Sequence, residues 1–362
     1  MGAKDEEQLK EDVELSFGFI LTVTLVLNLL IYLLMRPILR ILQTPPEIME
    51  LARGYVSVVF AGILFVFLYN FCAYLLRAIG DSMTPLLFLA GSSVCNVILD
   101  IWFVVGLQLG VAATALATVI AQGVAGIGLT IYSFKRVPAF CMKGRNRNLK
   151  RLGQIMINDF ATGIQQSVMN FGILMIQGLV NSFGTVVMAS FAAAVKIDTL
   201  AYMPAQEFGN AYSLFISQNF GASKRDRIRQ GTRMAFAISV IFCILVSGIV
   251  FCFAGDLMAI FIDREEMTII AEGVRYLRTE GALYPGIGIL FLWYGYFRGI
   301  NKPHISLILT ILSLGTRVLL SYAFAPRSPL GVLAIWISIP IGWGLADAAG
   351  LLFYRKNSEK QR

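Results

Sequence analysis

"LLRAIGDSMTP", residues 75–85, sets Arg77, Gly80, Asp81 and Pro85 between two long apolar runs, and "YFRGINKPH", residues 296–304, repeats the arrangement. Arg298 stands where a shift of about 220 residues puts Arg77. Gly80 suits the end of a helix. Pro85 and Pro303 suit the first turn of the next one, where a missing N–H leaves nothing unpaired. Each arginine then marks a helix C-terminus, where the dipole favours a cation. The stretch reads as a tight turn between long apolar helices, used twice and without direct contact to a substrate.

The composition around the turn fits that reading. Of 362 residues, 57% are hydrophobic and 14% charged, against roughly 45–50% and 25% in a soluble domain. About ten runs are long enough to cross a bilayer: 14–35, 50–76, 84–106, 111–134, 155–181, 186–217, 233–254, 271–297, 303–325 and 330–354. Spanning strands would be shorter and alternating, and lipid offers backbone groups no other partner. The expected class is all-α, a polytopic membrane protein. Of the five cysteines, four lie in apolar runs and none has metal-ligand spacing, so they read as core filler.

The net charge of +8 is explained by its distribution rather than by nucleic acid. "MGAKDEEQLKEDVEL" opens with mixed charges and shows no cleavable signal, which places the N-terminus in the cytoplasm. The loops on that side then hold about 21 of the 30 Lys and Arg, a positive-inside pattern that also puts the C-terminus inside. The lipid bilayer is the expected partner, the plasma membrane the expected location, and "KRVPAFCMKGRNRNLKR" (135–151) a segment able to touch anionic headgroups.

Further landmarks recur at about the same period, among them Gly110-Val111 with Gly331-Val332 and Gly123 with Gly344. Gly2-Ala3 pairs with Gly221-Ala222, each before a charged run. An even number of spans per unit makes the copies parallel, as in two-lobe transporters. The expected organisation is an N-terminal lobe over 1–134 with four helices, a cytoplasmic linker over 135–154, and a six-helix C-terminal lobe over 155–362. The first lobe is thus expected to lack two helices, and the chain to be an N-terminally truncated product whose two missing spans are encoded upstream.

The order and spacing of "LRAIGDSMTPLLFLAGSSVCNVILDIWFVVGLQLGVAATALATVIAQG" (76–123), "GIQQSVMNFGILMIQGLVNSFGT" (163–185) and "AAAVKIDTLAYMPAQEFGNAYSLFISQNFGA" (192–222) resemble the multidrug and toxic compound extrusion family. The resemblance implies twelve helices in two lobes, and export of cationic, lipophilic compounds in exchange for sodium ions or protons. This chain departs from it in having about ten.

Ionisable groups at membrane depth are functional suspects by default. Asp100 lies one helical turn after Asn96, so the two share a face and offer hard oxygen ligands of the kind sodium takes. A buried carboxylate there could equally carry a proton. The resemblance also implies a first-lobe cation site on Asn96 and Asp100, adds Thr118 on the next helix, and points to Asn70 on the preceding one. In the second half the repeat puts Arg317 opposite Asn96 and Ser321 opposite Asp100, which predicts asymmetric coupling.

Lys196 and Asp198 begin a helix, and the resemblance implies that their "basic-Ile-Asp" segment faces the central cavity, as gate or substrate contact. Glu207, with Gln206 and Asn210, is placed to offer negative charge to a cationic substrate. Lys196 and Glu207 share a face but stand roughly 16 Å apart along the axis, too far to pair. His304 is expected at the interface, outside any proton relay. No cofactor, nucleotide loop or acid–base pair is evident, so the expected protein is no enzyme but a monomeric antiporter of cationic or amphipathic small molecules. The alternatives are a lipid-linked or polysaccharide flippase, which would use cavity cations such as Lys196 and Arg317, and a non-transporting remnant.

Overall fold

The turn that opens the sequence is built as a Schellman cap. In the computed structural model, which describes residues 6–41, 49–110, 112–136 and 149–359, Gly80 takes φ +97° and the Asp81 N–H reaches back to the Leu76 carbonyl at 2.9 Å. Only a residue tolerant of positive φ fits that position. The second copy is built alike: Asn301 takes φ +62° and the Lys302 N–H donates to the Phe297 carbonyl at 2.8 Å. Asparagine there replaces glycine as the residue that enters the left-handed region.

Asp81 does more than interrupt the apolar run. Its carboxylate accepts the Thr84 backbone N–H at 3.0 Å and the Thr84 hydroxyl at 2.8 Å, capping the next helix. Tyr132 donates to it more weakly at 3.4 Å.

Among the described residues the chain is helical throughout. In order it forms α1 (Glu6–Ile41), α2 (Met49–Ala61), α3 (Ile63–Ala78), α4 (Met83–Ile101), α5 (Ala112–Arg136), α6 (Leu149–Asn181), α7 (Thr185–Gly221), α8 (Arg225–Met258), α9 (Met267–Gly281), α10 (Tyr284–Gly299), α11 (Pro303–Phe324) and α12 (Val332–Glu359). Eight helical segments are long and apolar enough to cross a membrane, α2 and α3 counting as one of 30 residues. α6 and the α9–α10 pair, at two of the ten expected runs, are not among those eight.

The run 271–297, expected as one span, is instead two helices that meet at Ala282 and Leu283, with Pro285 in the first turn of α10. Proline supplies no N–H to the ladder and disfavours helical backbone before it, which explains the break. α4 ends in a wider π turn over Trp102–Gly106, closed by the Leu107 N–H on the Trp102 carbonyl at 2.9 Å.

The helices form two compact units, Ala3–Met156 and Ile157–Arg362. In the first, α5 packs against α2, α3 and α4 through a seam of small residues that includes Ala113, Ala117, Ala121 and Ala125. Small side chains let helix backbones approach in lipid, where apolar burial gives no net drive. In the second, α10 is the axis, with Leu290 through Phe297 all buried, and it packs on α7, α8, α11 and α12. Gly295 permits this closeness, because a Cβ there would stand 2.4 Å from the Gly209 carbonyl oxygen. Outward leucines such as Leu33, Leu87 and Leu245 lie exposed, as lipid-facing positions do. Gly2, Ala3, Val111 and the linker positions 137–148 fall outside the described residues.

Candidate functional site

In the first unit, α4 and α5 bring Asn96 and Thr118 together. The Asn96 Nδ2 donates to Thr118 Oγ1 at 3.4 Å, and the Thr118 hydroxyl donates to the Thr114 carbonyl at 3.0 Å. A hydroxyl has one proton. Thr118 commits it to Thr114, so it must accept from Asn96, which turns the Asn96 amide nitrogen toward α5. One turn further along α4, Asp100 is half-buried and its Oδ1 is enclosed without a hydrogen-bond partner. Asn28 Oδ1 on α1 and Gln122 Oε1 on α5 are likewise enclosed and unpartnered.

Orphaned acceptor oxygens at membrane depth call for a proton or a cation. Carboxylate and amide oxygens are the kind of ligand a hard cation such as sodium takes. Asn70, on α3, is exposed, and its amide donates to the Val66 carbonyl of its own helix at 2.9 Å.

The second unit holds a separate polar cluster. Asp198 is 1% exposed; Tyr276 donates to its Oδ2 at 2.5 Å and Tyr284 to its Oδ1. Glu280, 3% exposed, keeps Oε2 unpartnered and neighbours Asp198 closely enough for the two carboxyls to interact. Arg317 is close enough to act on both carboxyls, and its Nε has no partner. Glu280, Arg317, Gln206 and Tyr202 border a cavity of about 110 Å³ within this unit.

Lys196 is not part of the cluster; its Nζ lies 5.8 Å from the centre of the Phe261 ring, a cation–π distance. Glu207 is exposed and accepts from Asn210 at 3.4 Å, while Arg298 donates to the Asn210 Oδ1 at 2.9 Å. Ser321, the repeat counterpart of Asp100, is tied to Ser338 at 2.8 Å.

Sequence reading passed over Glu280 and Asp347. Glu280 follows Glu272, Arg275 and Arg278 closely, so the segment reads as the polar end of a span. The signal that finds it is the spacing of Gly273, Tyr276, Leu277 and Glu280, all buried on one face of α9. Asp347, with an enclosed and unpartnered Oδ1, lies in the run 330–354 and was open to the rule for acids at membrane depth.

Fold and site define a class: a multi-pass, all-helical membrane protein with acids and amides held at membrane depth. Residues 1–102 and 161–323 match the MatE family, and the chain belongs to it: it is a MATE family transporter. It is 31% identical over 320 residues to the "Probable multidrug resistance protein YpnP" of Bacillus subtilis (strain 168), covering 88% of this chain and 71% of that protein. The "Multidrug export protein MepA" of Staphylococcus aureus (strain NCTC 8325 / PS 47) is 24% identical over 361 residues, covering 97% and 77%. Among solved structures, MATE in complex with MaL6 superposes with a TM-score of 0.92 at 23% identity, over 98% of this chain and 80% of that one. An outward-facing multidrug resistance MATE family transporter of the MOP superfamily gives 0.90, also at 23% identity. At that identity the structural likeness concerns the fold.

Proposed function

We propose that this protein is a secondary antiporter that exports cationic or amphipathic drugs or metabolites in exchange for sodium ions or protons. The observation that carries the reading is the unpartnered Asp100 Oδ1, one turn from the Asn96–Thr118 pair in the packed first unit. A carboxylate so placed has two ways to satisfy its oxygen: take a cation with the Asn96 amide oxygen, or take a proton. Either neutralises the carboxylate and removes the cost of an uncompensated charge in a low-dielectric interior. The ion is cargo, so no resident cofactor is required.

The names of the relatives, a multidrug resistance protein and a multidrug export protein, support the substrate class. A flippase reading needs basic groups facing its substrate. Lys196 lies over Phe261, and Arg317 neighbours two acids of its own unit, which favours the exporter.

The test is efflux of a fluorescent cationic dye from proteoliposomes under a sodium gradient or a pH gradient imposed separately. Dye movement under at least one gradient, with dissipation of that gradient, is expected. Movement indifferent to both would sink the antiport reading.

A further inference from the structure

The geometry points to a site for the headgroup of an anionic phospholipid, in an open groove of about 520 Å³ at the end of the second unit where α8 begins. Nothing in the antiport reading uses this groove. Its charge comes from one helix face: Arg225, Arg229 and Arg233 line it at four-residue spacing along α8, against a single acid, Asp226. Residues so spaced stack on one side of a helix, and Arg229 and Arg233 are exposed there.

Behind the arginines the wall is aromatic. Trp293 packs at 4.7 Å against Phe236 and at 5.6 Å against Tyr354, and Tyr296 sits 5.1 Å from Tyr354. Trp293 forms part of that wall. It lines the groove, is 4% exposed, and its indole N–H has no acceptor. Gly350 lets the indole sit there, since a Cβ at that position would stand 2.7 Å from Trp293 Cδ1.

A guanidinium row beside an apolar aromatic wall describes an amphiphile. Arginine suits phosphate oxygens geometrically, and the wall suits the first methylenes of an acyl chain. Basic pockets between spanning helices take anionic headgroups. The positive-inside count puts this end on the cytoplasmic side, where the surface potential is negative. A cationic substrate, by contrast, would meet three arginines and one aspartate.

The probe is phosphatidylglycerol with brominated acyl chains, which quenches tryptophan on contact, titrated into the full chain in zwitterionic detergent. The comparisons are brominated phosphatidylcholine and inorganic phosphate. Wild type should be quenched saturably by phosphatidylglycerol, and Trp293→Phe should lose that component. Arg229→Gln/Arg233→Gln should weaken binding by about tenfold or more, while Arg229→Lys/Arg233→Lys, which keeps the charge and reports on folding, should largely retain it. Equal quenching by phosphatidylcholine, or unchanged affinity in a folded Gln variant, overturns the site. If inorganic phosphate alone saturates the site and the lipid adds nothing, the lipid assignment falls and a free-phosphate site replaces it.

Discussion

Asp100 and Asn96 divide the labour of one turn of α4, and their substitutions should separate it. Asp100→Asn keeps the shape and removes the charge, so efflux in proteoliposomes should fall to background under both gradients while substrate binding persists; full efflux would remove Asp100 from the mechanism. Asn96→Ala should reduce sodium-driven exchange several-fold and leave proton-driven exchange near wild type, because an amide carries no proton. Asp81 offers a test of the turn rather than of transport. The Thr84 N–H and hydroxyl, then Tyr132, hold its carboxyl below the usual carboxylate range. Folding therefore depresses its titration, and its stabilising contribution is present at neutral pH and lost as pH falls below about 4. Asp81→Asn should lower the thermal midpoint at pH 7, and the gap from wild type should shrink as the pH is taken toward 3.

At the scale of elements, close helix approach in the second unit rests on glycine. A Cβ at Gly295 would meet the Gly209 carbonyl oxygen at 2.4 Å, and one at Gly209 would meet the Phe291 carbonyl oxygen at 2.8 Å. Backbone atoms cannot rotate away, so Gly295→Ala should force α7 and α10 apart at a cost of about 1–3 kcal/mol. Gly248→Ala, with nothing within 4 Å, should leave the thermal midpoint nearly unchanged. What the sequence showed and hid at this scale follows from range. The turn at Gly80 was legible because its signals, a glycine and a nearby proline, are local, and its second copy was legible from Pro303 and the repeat rather than from Asn301. The apolar runs were legible because lipid demands them. The Gly295–Gly209 contact was not, since nothing in "WYGYF" (293–297) names its partner on α7. The Asn96–Thr118 contact was anticipated only through a family resemblance. Glu280 was lost because α9 mixes surface arginines with a buried acid, and only the helix phase separates the two faces.

For the whole molecule, the charge distribution predicts orientation. An epitope tag placed after Arg327 should be reached by impermeant antibody on intact cells, and one at the C-terminus only after permeabilisation; the reverse would invert the inferred direction of export. The break between α9 and α10 bears on how such a molecule is made. α9 is 15 residues long and carries Glu272, Arg275, Arg278 and Glu280, too short and too polar to partition into a bilayer unaided. It packs on α7, α8 and α12, and its buried Tyr276 donates to Asp198 of α7. During synthesis α7 and α8 emerge first, so the insertion machinery meets α9 when part of its binding surface already exists. The segment is integrated as a passenger on its neighbours, and a nascent chain shortened to exclude α7 should leave α9 outside the membrane, open to glycosylation or protease.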